Sequence, residues 1–389
     1  MPRILIATLG SLGDVLPLIA VAKACRNRGF EVTFAANRSF GKTIASYDLQ
    51  FAQLGAARDA MTFSRPGADV AIPFIEQALD QLDHHFDVLL EFGADADAIV
   101  APYWVLPSHL VAQKLGIPYF ACAFSPAYLL RGSDSGAEDK RRLKIPAHWH
   151  ASLAALRRRV GLPRALLPYA EAFTTPAALL GLFPAFMHKG VIPGVERLIV
   201  CGYPRLQQRA SIGQDEELNE FLDARTVTIS FGSYADELDA SYLFDESIAA
   251  CRSLGLKCLY LSAFVARSAH SSPDVLVRAY VDHDVAFPRS GIIVHHAGMG
   301  TLIAACSHGK PMVCVPSAYD QPHNARQMQE SIGTPSIPMA SYSRHALTDA
   351  LMRVISEKEH ALARLNSLMK LERDGAATAT DVLTRAMAR

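Results

Sequence analysis

Residues 3–37 read RILIATLGSLGDVLPLIAVAKACRNRGFEVTFAAN, and this stretch decides the fold class. The apolar run at 3–10 predicts a strand that closes in a glycine-rich turn. Residues 16–28 follow with helical spacing of apolar positions and stop before Gly29, and residues 31–37 predict the next strand. Strand, glycine turn, helix and strand in this order indicate the start of a parallel α/β sheet.

The same alternation continues along the chain and then restarts. Further strands are predicted at 49–54, 98–103, 118–124, 178–183, 197–201, 227–231, 257–262, 275–280, 291–295, 311–316 and 335–339, with helices near 73–92 and 107–115 among those between them. We therefore expect two Rossmann-like, doubly wound parallel-sheet domains that face a cleft. The N-terminal domain is placed at 1–205, a polar linker at 206–224 and the C-terminal domain at 225–389, whose last helix is a candidate to pack back on the first domain.

Composition excludes several classes of protein. The chain has 389 residues, of which 50% are hydrophobic and 20% charged, so it is neither disordered nor a small scaffold. Lys plus Arg and Asp plus Glu each total 38, and this balance argues against a nucleic-acid partner. The seven cysteines include no C-x-x-C pair and are expected to be small buried hydrophobes in a reducing compartment. No apolar run reaches the length of a membrane span, and we expect a cytoplasmic protein.

The first glycine turn, at 10–17, carries a carboxylate, Asp14. Its charge would repel a phosphate at the helix N-terminus, so the turn is unsuited to anion binding. Asp14 is a candidate general base, and a helix-capping role is equally compatible with its position. The dinucleotide fingerprint G-x-G-x-x-G is absent here, which disfavours an NAD enzyme.

A second turn, VHHAGMGT at 294–301, lies between a predicted strand and helix. Gly298 and Gly300 allow close backbone approach to a ligand, the N–H groups near Thr301 can bind an anion, and His296 can donate a hydrogen bond to a diphosphate. The sequence therefore predicts a phosphate cradle. The alternative is a packing turn with structural histidines.

A third segment, SAYDQ at 317–321, also follows a strand. A carboxylate beside an amide suits a hydroxyl-rich ligand such as a sugar, because Asp320 accepts hydroxyl protons while Gln321 both donates and accepts. Taken alone, Asp320 is better interpreted as a helix cap. Ser233, after the strand at 227–231, is a further candidate for contact with phosphate.

Asp95 and Asp97 form the D-x-D pattern found in metal-dependent sugar transferases. They precede their strand instead of following it, so we interpret them as a solvated turn. The histidine pairs lack the spacing of zinc ligands. We expect no metal and no cofactor.

Together, residues 3–29 and 280–328 resemble the family 1 glycosyltransferases with the GT-B fold. The HHAGMGT turn and an Asp-Gln pair about twenty residues later resemble that family's donor-binding signature. LFPAF at 182–186 and CGYP at 201–204 are most similar to bacterial members such as the rhamnolipid rhamnosyltransferase and antibiotic or macrolide glycosyltransferases.

The resemblance implies an inverting, metal-independent hexosyltransferase. It would move a hexose or deoxyhexose from a UDP- or dTDP-sugar, held by the C-terminal domain, to a hydroxyl of a small hydrophobic natural-product or lipid acceptor. Asp14 falls on the position of the catalytic base. Positions that contact the donor diphosphate correspond to Ser233, His296, Gly298, Met299, Gly300 and Thr301, and those that contact its sugar to Asp320 and Gln321.

The resemblance also implies the remaining subsites. Nucleoside-binding positions correspond to Tyr280, Val281 and His283, although the family often has tryptophan and glutamine where Tyr280 and His283 stand. Acceptor-lining candidates are Ser11, Tyr103, Tyr128 and Trp149. The expected partners are a small-molecule donor and acceptor, with no nucleic acid, no stable membrane insertion, and a monomeric or homodimeric state.

Two other functions remain open at the level of sequence. A GT-B nucleotide-sugar epimerase would need additional carboxylates and a basic cluster, which the sequence does not display. A non-catalytic nucleotide-sugar-binding protein would keep the phosphate turn and would not need Asp14.

Overall fold

The computed structural model describes residues 1–55, 71–129, 146–165, 171–172, 175–188, 197–206, 215–232, 240–267 and 271–388. The described residues divide into two compact units. One contains those up to Leu206 together with those from Arg373 onward, and the other contains those between, ending at Glu372. Each unit is built around one parallel sheet.

In the described part of the first unit, seven strands pair in the order β3-β2-β1-β4-β5-β6-β7, all parallel. The strands are β1 Arg3–Ala7, β2 Glu31–Ala36, β3 Gln50–Gln53, β4 Ala98–Pro102, β5 Tyr119–Ala123, β6 Ala178–Gly181 and β7 Leu198–Val200. The central strands β4, β5 and β6 are buried along their whole length. The strand order reverses between β1 and β4, which is the point where ligands bind in open α/β sheets.

In the described part of the second unit, five parallel strands pair in the order β10-β9-β8-β11-β12. They are β8 Thr226–Ser230, β9 Lys257–Leu261, β10 Val275–Arg278, β11 Ile292–His295 and β12 Met312–Cys314. Their apolar side chains form a buried core that includes Val227, Ile229, Val294 and Val313. The order reverses between β8 and β11, so the carboxyl ends of these two strands mark the candidate ligand site.

Helices connect the strands in both units. The described helices before residue 206 are α1 Leu12–Asn27, α2 Gly41–Ala45, α3 Ala71–Asp80, α4 Leu82–Gly93, α5 Ser108–Leu115 and α6 Ala147–Arg159. Those that follow are α7 Glu216–Phe221, α8 Ala240–Ser253, α9 His283–Ala286, α10 Met299–Ser307, α11 Gln321–Ile332, α12 Arg344–Met369 and α13 Gly375–Met387. In the part of the chain that the structure describes, no helix combines the length and apolar character needed to cross a bilayer.

Several boundaries differ from the sequence prediction for local reasons. Helix α1 begins at Leu12 instead of 16, because Ser11 caps it ahead of Pro17. The helix predicted near 73–92 is two helices, α3 and α4. The strand predicted at 335–339 is wrong: Ser336 makes one isolated bridge to Cys314, and prolines at 335 and 338 have no N–H to extend a ladder.

Candidate functional site

Three loops meet at one edge of the second sheet. β11 pairs in parallel with β8 on one side and β12 on the other, with His295 opposite Ser230 and Cys314. The carboxyl ends of parallel neighbours lie at the same edge, so the segments at 231–232, 296–301 and 317–321 are brought together. These are the segments that the sequence analysis singled out. Ser233, the remaining candidate for the diphosphate, lies outside the described residues.

His296 packs between two glycines of these loops. A Cβ atom added to Gly298 would overlap Nε2 of His296, and one added to Gly232 would lie 2.9 Å from Cε1 of the same ring. Gly232 also has a φ of +76°, which a residue with a side chain rarely adopts. The two glycines therefore make the space that the imidazole occupies.

The protonation of His296 restricts what it can offer a ligand. Burial lowers its pKa to about 4, so the ring is neutral near pH 7. Nδ1 lies 3.4 Å from the carbonyl oxygen of Ser230, and since a carbonyl only accepts, Nδ1 carries the proton in this contact. Nε2 then has no proton to donate while the ring is neutral. His296 thus shapes the turn more than it supplies a donor.

Helix α10 begins at the same turn with an open N-terminus. Gly298 is its N-cap residue, and no side chain of the described residues caps the helix. The first intrahelical bond runs from Leu302 N to Gly298 O, so the N–H groups of Met299, Gly300 and Thr301 have no partner within the helix. Such N–H groups and the positive end of the helix dipole favour an anion.

The residue before the N-cap of this helix has an unusual backbone conformation. Ala297 has a φ of +64°, in the left-handed region that non-glycine residues avoid. Its N–H donates to Nδ1 of the fully buried His295 at 3.1 Å. Burial lowers the pKa of His295 to about 3, so this nitrogen remains an acceptor at neutral pH. Strained residues of this kind concentrate at functional sites.

Asp320 occupies the N-cap position of α11 and does not act as a cap. Its side chain makes no bond to the N–H groups of the helix, and its Oδ2 accepts from Nδ2 of Asn324 at 2.7 Å. The capping interpretation of Asp320 is therefore wrong. Tyr319, the preceding residue, has a φ of +58°, so a second left-handed residue lies at this edge of the sheet.

Gln321 uses one end of its amide within the protein. Its Oε1 accepts from the N–H and hydroxyl of Ser317, at 2.9 and 2.8 Å, and from the N–H of Ala318 at 3.2 Å. With Oε1 occupied in this way, the Nε2 group is the end suited to a ligand oxygen. Gln321 can thus serve as a donor to a sugar hydroxyl, and not as the two-way partner expected from its sequence.

The nucleoside-binding candidates follow strand β10. Tyr280 is 58% exposed, Val281 is buried, and the His283 ring stacks on Phe287 with centroids 4.4 Å apart. Phe264, which the sequence analysis missed, is 49% exposed and follows β9, whose Leu261 lies opposite Arg278 of β10. Two exposed aromatic rings thus follow neighbouring strands. The position of Phe264, an aromatic residue shortly after a predicted strand, is the sequence signal that could have identified it.

In the first unit, Asp14 belongs to a capping box. Ser11 is the N-cap of α1, its Oγ accepts from Gly13 N at 3.2 Å, and Asp14 Oδ2 accepts from Ser11 N at 2.7 Å. Ser11 Oγ also lies 3.0 Å from Asp14 Oδ2. A Cβ on Gly10, which has a φ of +127°, would overlap this carboxylate. Asp14 is thereby held at the carboxyl end of β1.

The acceptor-lining candidates have different surroundings. Tyr103 and Tyr128 both contact Trp104 edge-on, with centroids 5.0 and 5.3 Å apart, and Trp104 Nε1 donates to Leu9 O at 3.1 Å. Trp104, which was not among the residues predicted from the sequence, ties these rings to the turn before Asp14. Trp149 is fully buried and donates to Glu76 at 2.6 Å, so it presents no surface to a ligand here.

The D-x-D carboxylates of Asp95 and Asp97 bind Arg3, away from the carboxyl ends of the strands. Asp97 Oδ2 accepts from Arg3 N at 2.7 Å, and Asp95 pairs with the Arg3 guanidinium at 3.4 Å. Both lie at the amino end of β4. Within the described residues, no group of three or more His, Cys, Asp or Glu side chains is placed to hold a metal ion.

Two regions of the chain match known protein families. Residues 4–131 match the glycosyltransferase family 28 N-terminal domain, and residues 281–375 match the UDP-glucuronosyl and UDP-glucosyl transferases. The second match contains the open helix N-terminus and the Asp320 loop.

Similarity to individual proteins extends over the whole chain. The chain is 28% identical to the glycosyltransferase GtfE and 27% identical to the vancomycin aglycone glucosyltransferase, both of Amycolatopsis orientalis, over 99% and 100% of its own length and 98% of theirs. Its fold is similar to that of the kitacinnamycin glycotransferase, with a TM-score of 0.78, 18% identity and 99% coverage of both chains. Glycosyltransferase VinC in complex with dTDP has a TM-score of 0.73, 16% identity and 100% coverage of both chains.

Proposed function

Because the chain is a glycosyltransferase of the GT-B fold, as its sequence resemblance predicted, we propose that it is an inverting, metal-independent enzyme of natural-product or lipid glycosylation. It moves a hexose or deoxyhexose from a UDP- or dTDP-sugar to a hydroxyl of a small hydrophobic acceptor. The full-length similarity to an aglycone glucosyltransferase supports the acceptor class. The dTDP complex of a protein with the same fold supports a nucleoside diphosphate donor.

The observation that carries this proposal is the open N-terminus of α10. The N–H groups of Met299, Gly300 and Thr301, with the Thr301 hydroxyl, hold the donor diphosphate. Ser233 adds a hydroxyl, and the His296 ring, packed between Gly232 and Gly298, sets the shape of the turn. These groups stabilise the charge that develops on the departing diphosphate.

Neighbouring loops hold the rest of the donor. The carboxylate of Asp320 accepts hydroxyl protons of the sugar, and the amide Nε2 group of Gln321 donates to a hydroxyl oxygen. The exposed ring of Tyr280 stacks on the nucleobase, with Val281 and His283 beside it. Ser11, Tyr103 and Tyr128 contact the acceptor.

The chemical step is a single displacement at the anomeric carbon. The acceptor oxygen forms a bond to that carbon from the side opposite the diphosphate, and the bond to the diphosphate oxygen breaks. The acceptor proton passes to the Asp14 carboxylate, and the nucleoside diphosphate leaves with the bonding electron pair. One displacement inverts the anomeric configuration. Trp104 positions the Tyr103 and Tyr128 rings that it contacts, and its bond to Leu9 ties it to the turn that precedes Asp14.

Calorimetric titration tests the donor site. UDP, dTDP, GDP and NAD are each added to the protein with and without EDTA, and the titrations are repeated on Thr301→Ala. We expect UDP or dTDP to bind regardless of EDTA and Thr301→Ala to lower that affinity about tenfold, since a hydrogen bond to a charged group is lost.

Thr384→Ala, on α13 of the first unit, is the matched control and keeps the wild-type affinity. Absence of binding by every nucleoside diphosphate would show that the turn is only a packing feature. Binding that needs a divalent cation would remove metal independence from the proposal.

A further inference from the structure

One buried amide joins two loops at the edge of the second sheet. Asn324 is fully buried on α11, one turn after Asp320. Its Nδ2 donates to the carbonyl oxygen of Ala297 at 3.0 Å and to Oδ2 of Asp320 at 2.7 Å. An amide nitrogen carries two hydrogens, so both bonds can exist together. The loop after β11 is thereby connected to the loop after β12.

The bond to Ala297 acts on a strained point of the backbone. Ala297 has a left-handed φ of +64° and is buried against Cys314 and Ala325. His295 accepts from its N–H, and Asn324 donates to its C=O. Both polar groups of this residue are thus held in place. The next residue is Gly298, the N-cap of α10, which no side chain of the described residues caps.

We propose that Asn324 is a positioning residue that holds the phosphate turn and the Asp320 carboxylate in one arrangement. This inference rests on the donor site proposed above and extends it to a residue that touches no substrate. Through Ala297, Asn324 sets the direction of the N–H groups at the start of α10. Through Oδ2 of Asp320, it orients the carboxylate for the sugar.

The two acceptors, the carbonyl oxygen of Ala297 and Oδ2 of Asp320, favour an amide side chain at position 324. Aspartate at 324 would put a second carboxylate against Asp320 in a buried setting, where like charges repel strongly. Serine supplies one hydrogen and can serve only one of the two acceptors. The arrangement therefore couples two subsites, because loss of one side chain releases both the diphosphate turn and the sugar-binding carboxylate.

A double-variant experiment separates these two effects. Asn324→Ala is made in the wild-type chain and in an Ala297→Gly background, because glycine adopts a positive φ without strain. Calorimetry gives the affinity for UDP, dTDP and their glucose conjugates. Hydrogen exchange followed by mass spectrometry measures the amides at 296–302 without ligand.

We expect Asn324→Ala to weaken nucleoside diphosphate binding about tenfold and to abolish the extra affinity that the sugar provides. Amide exchange at 296–302 should accelerate about tenfold or more, because the turn opens more often. In the Ala297→Gly background, the same substitution should leave most diphosphate affinity intact and still abolish the sugar contribution. A residue needed only for stability would not produce this split.

Asn366→Ala, at an exposed position of α12, is the matched control and changes neither readout. Asn324→Ser is measured in parallel, so a poorly folding alanine variant does not leave the question undecided. Unchanged exchange and unchanged affinities in Asn324→Ser or Asn324→Ala would overturn the proposal, as would a diphosphate loss that Ala297→Gly fails to relieve. If the wild-type chain binds no nucleoside diphosphate, the proposed function fails, and the exchange rates still decide whether Asn324 holds the turn.

Discussion

His295 and His296 are adjacent in sequence and differ in their structural roles. His295 is fully buried, with Nδ1 accepting from Ala297 and Nε2 lying 3.4 Å from the sulfur of Met312. His296 fits between Gly232 and Gly298. Burial lowers both pKa values, to about 3 and about 4. Both rings are therefore neutral at pH 7, and their charging accompanies unfolding in acid.

The stability of the second unit should consequently fall in acid. In the unfolded chain each histidine titrates near 6.5, so between about pH 4 and 6 the unfolded state binds more protons than the folded state. This contribution to stability is complete above about pH 6.5 and is lost as the pH falls toward the folded pKa values. His295→Asn retains an acceptor for Ala297 N and cannot titrate. Urea unfolding at several pH values gives the free energy of unfolding as a function of pH. Between about pH 4 and 6, the slope of this function should be lower by about 1.4 kcal/mol per pH unit in His295→Asn than in the wild type.

His360→Asn, exposed on α12, is the control for this measurement and should keep the wild-type slope. An unchanged slope in His295→Asn would mean that His295 is not held neutral in the folded protein.

Residue chemistry alone settled some assignments correctly. The seven cysteines were predicted to be small buried hydrophobes, and all seven are free and buried. Burial raises the pKa of Cys25 to about 11 and that of Cys201 to about 12, so these thiols are unreactive near neutral pH. The burial of a cysteine can be predicted from its side-chain type alone. The hydrogen-bond partner of a polar side chain such as Asp320 cannot, because it depends on which residues the fold places beside it.

At the scale of elements, two helix N-termini explain the different chemistry expected of the two units. α1 is closed by its own capping box, in which the Asp14 carboxylate takes the position that an anion would need. α10 begins at Met299 after the N-cap Gly298, and no side chain in the described part of the chain caps it. The first is suited to present a base and the second to bind a diphosphate.

The capping role of Asp14 and its proposed role as base can be separated by exchanging one atom of its side chain. Asp14→Asn keeps an oxygen that accepts from Ser11 N and removes the basic carboxylate. We expect kcat to fall about 10²-fold to 10⁴-fold, with the free energy of unfolding changed by less than about 1 kcal/mol and donor affinity unchanged. Steady-state kinetics with the identified donor, together with a thermal melt, provides the measurement.

Asp374→Asn is matched to this variant, because Asp374 caps α13 by accepting from Ala377 N at 3.0 Å. Its kcat should equal that of the wild type. If Asp14→Asn also turns over normally, Asp14 is a cap only and the base lies elsewhere.

At the scale of the molecule, helix α13 belongs to the first unit although it follows the second unit in sequence. α13 packs on α1, with Cys25 Sγ 3.6 Å from Thr380 Oγ1 and an ion pair between Arg28 and Asp381. The helix begins at Gly375, against the backbone of Gly202 and Tyr203. The first unit is therefore built from two separate stretches of the chain, with residues of the second unit between them.

Gly375→Ala tests how much the packing of α13 stabilises the first unit. A Cβ there would overlap the carbonyl of Gly202 and lie 2.5 Å from the carbonyl carbon of Tyr203, and backbone cannot move aside as a side chain can. We expect a loss of about 3 kcal/mol in the free energy of unfolding. The measurement is urea unfolding followed by tryptophan fluorescence, because Trp104 and Trp149 both lie in this unit.

Asp381→Ala provides the contrast on the same helix. It removes only an ion pair whose side chains are 40% and 42% exposed, so its effect should stay below about 1 kcal/mol. Equal and small effects of the two substitutions would show that α13 contributes little to the unit.

Apart from the strand expected at 335–339 and the single helix expected near 73–92, the sequence by itself determined the order of strands and helices, the two parallel sheets and the glycine turns that follow β1 and β11. These features depend on apolar spacing and on glycine, which act over a few neighbouring residues. Only the tertiary structure decided that Asp320 accepts a hydrogen bond from Asn324 instead of capping its helix, and that Trp149 is buried and donates to Glu76. It also decided that the exposed rings of Phe264 and Tyr280 follow neighbouring strands. Such pairings depend on which strand ends become neighbours and on where buried polar groups find partners, and the pattern within any one segment does not contain that information.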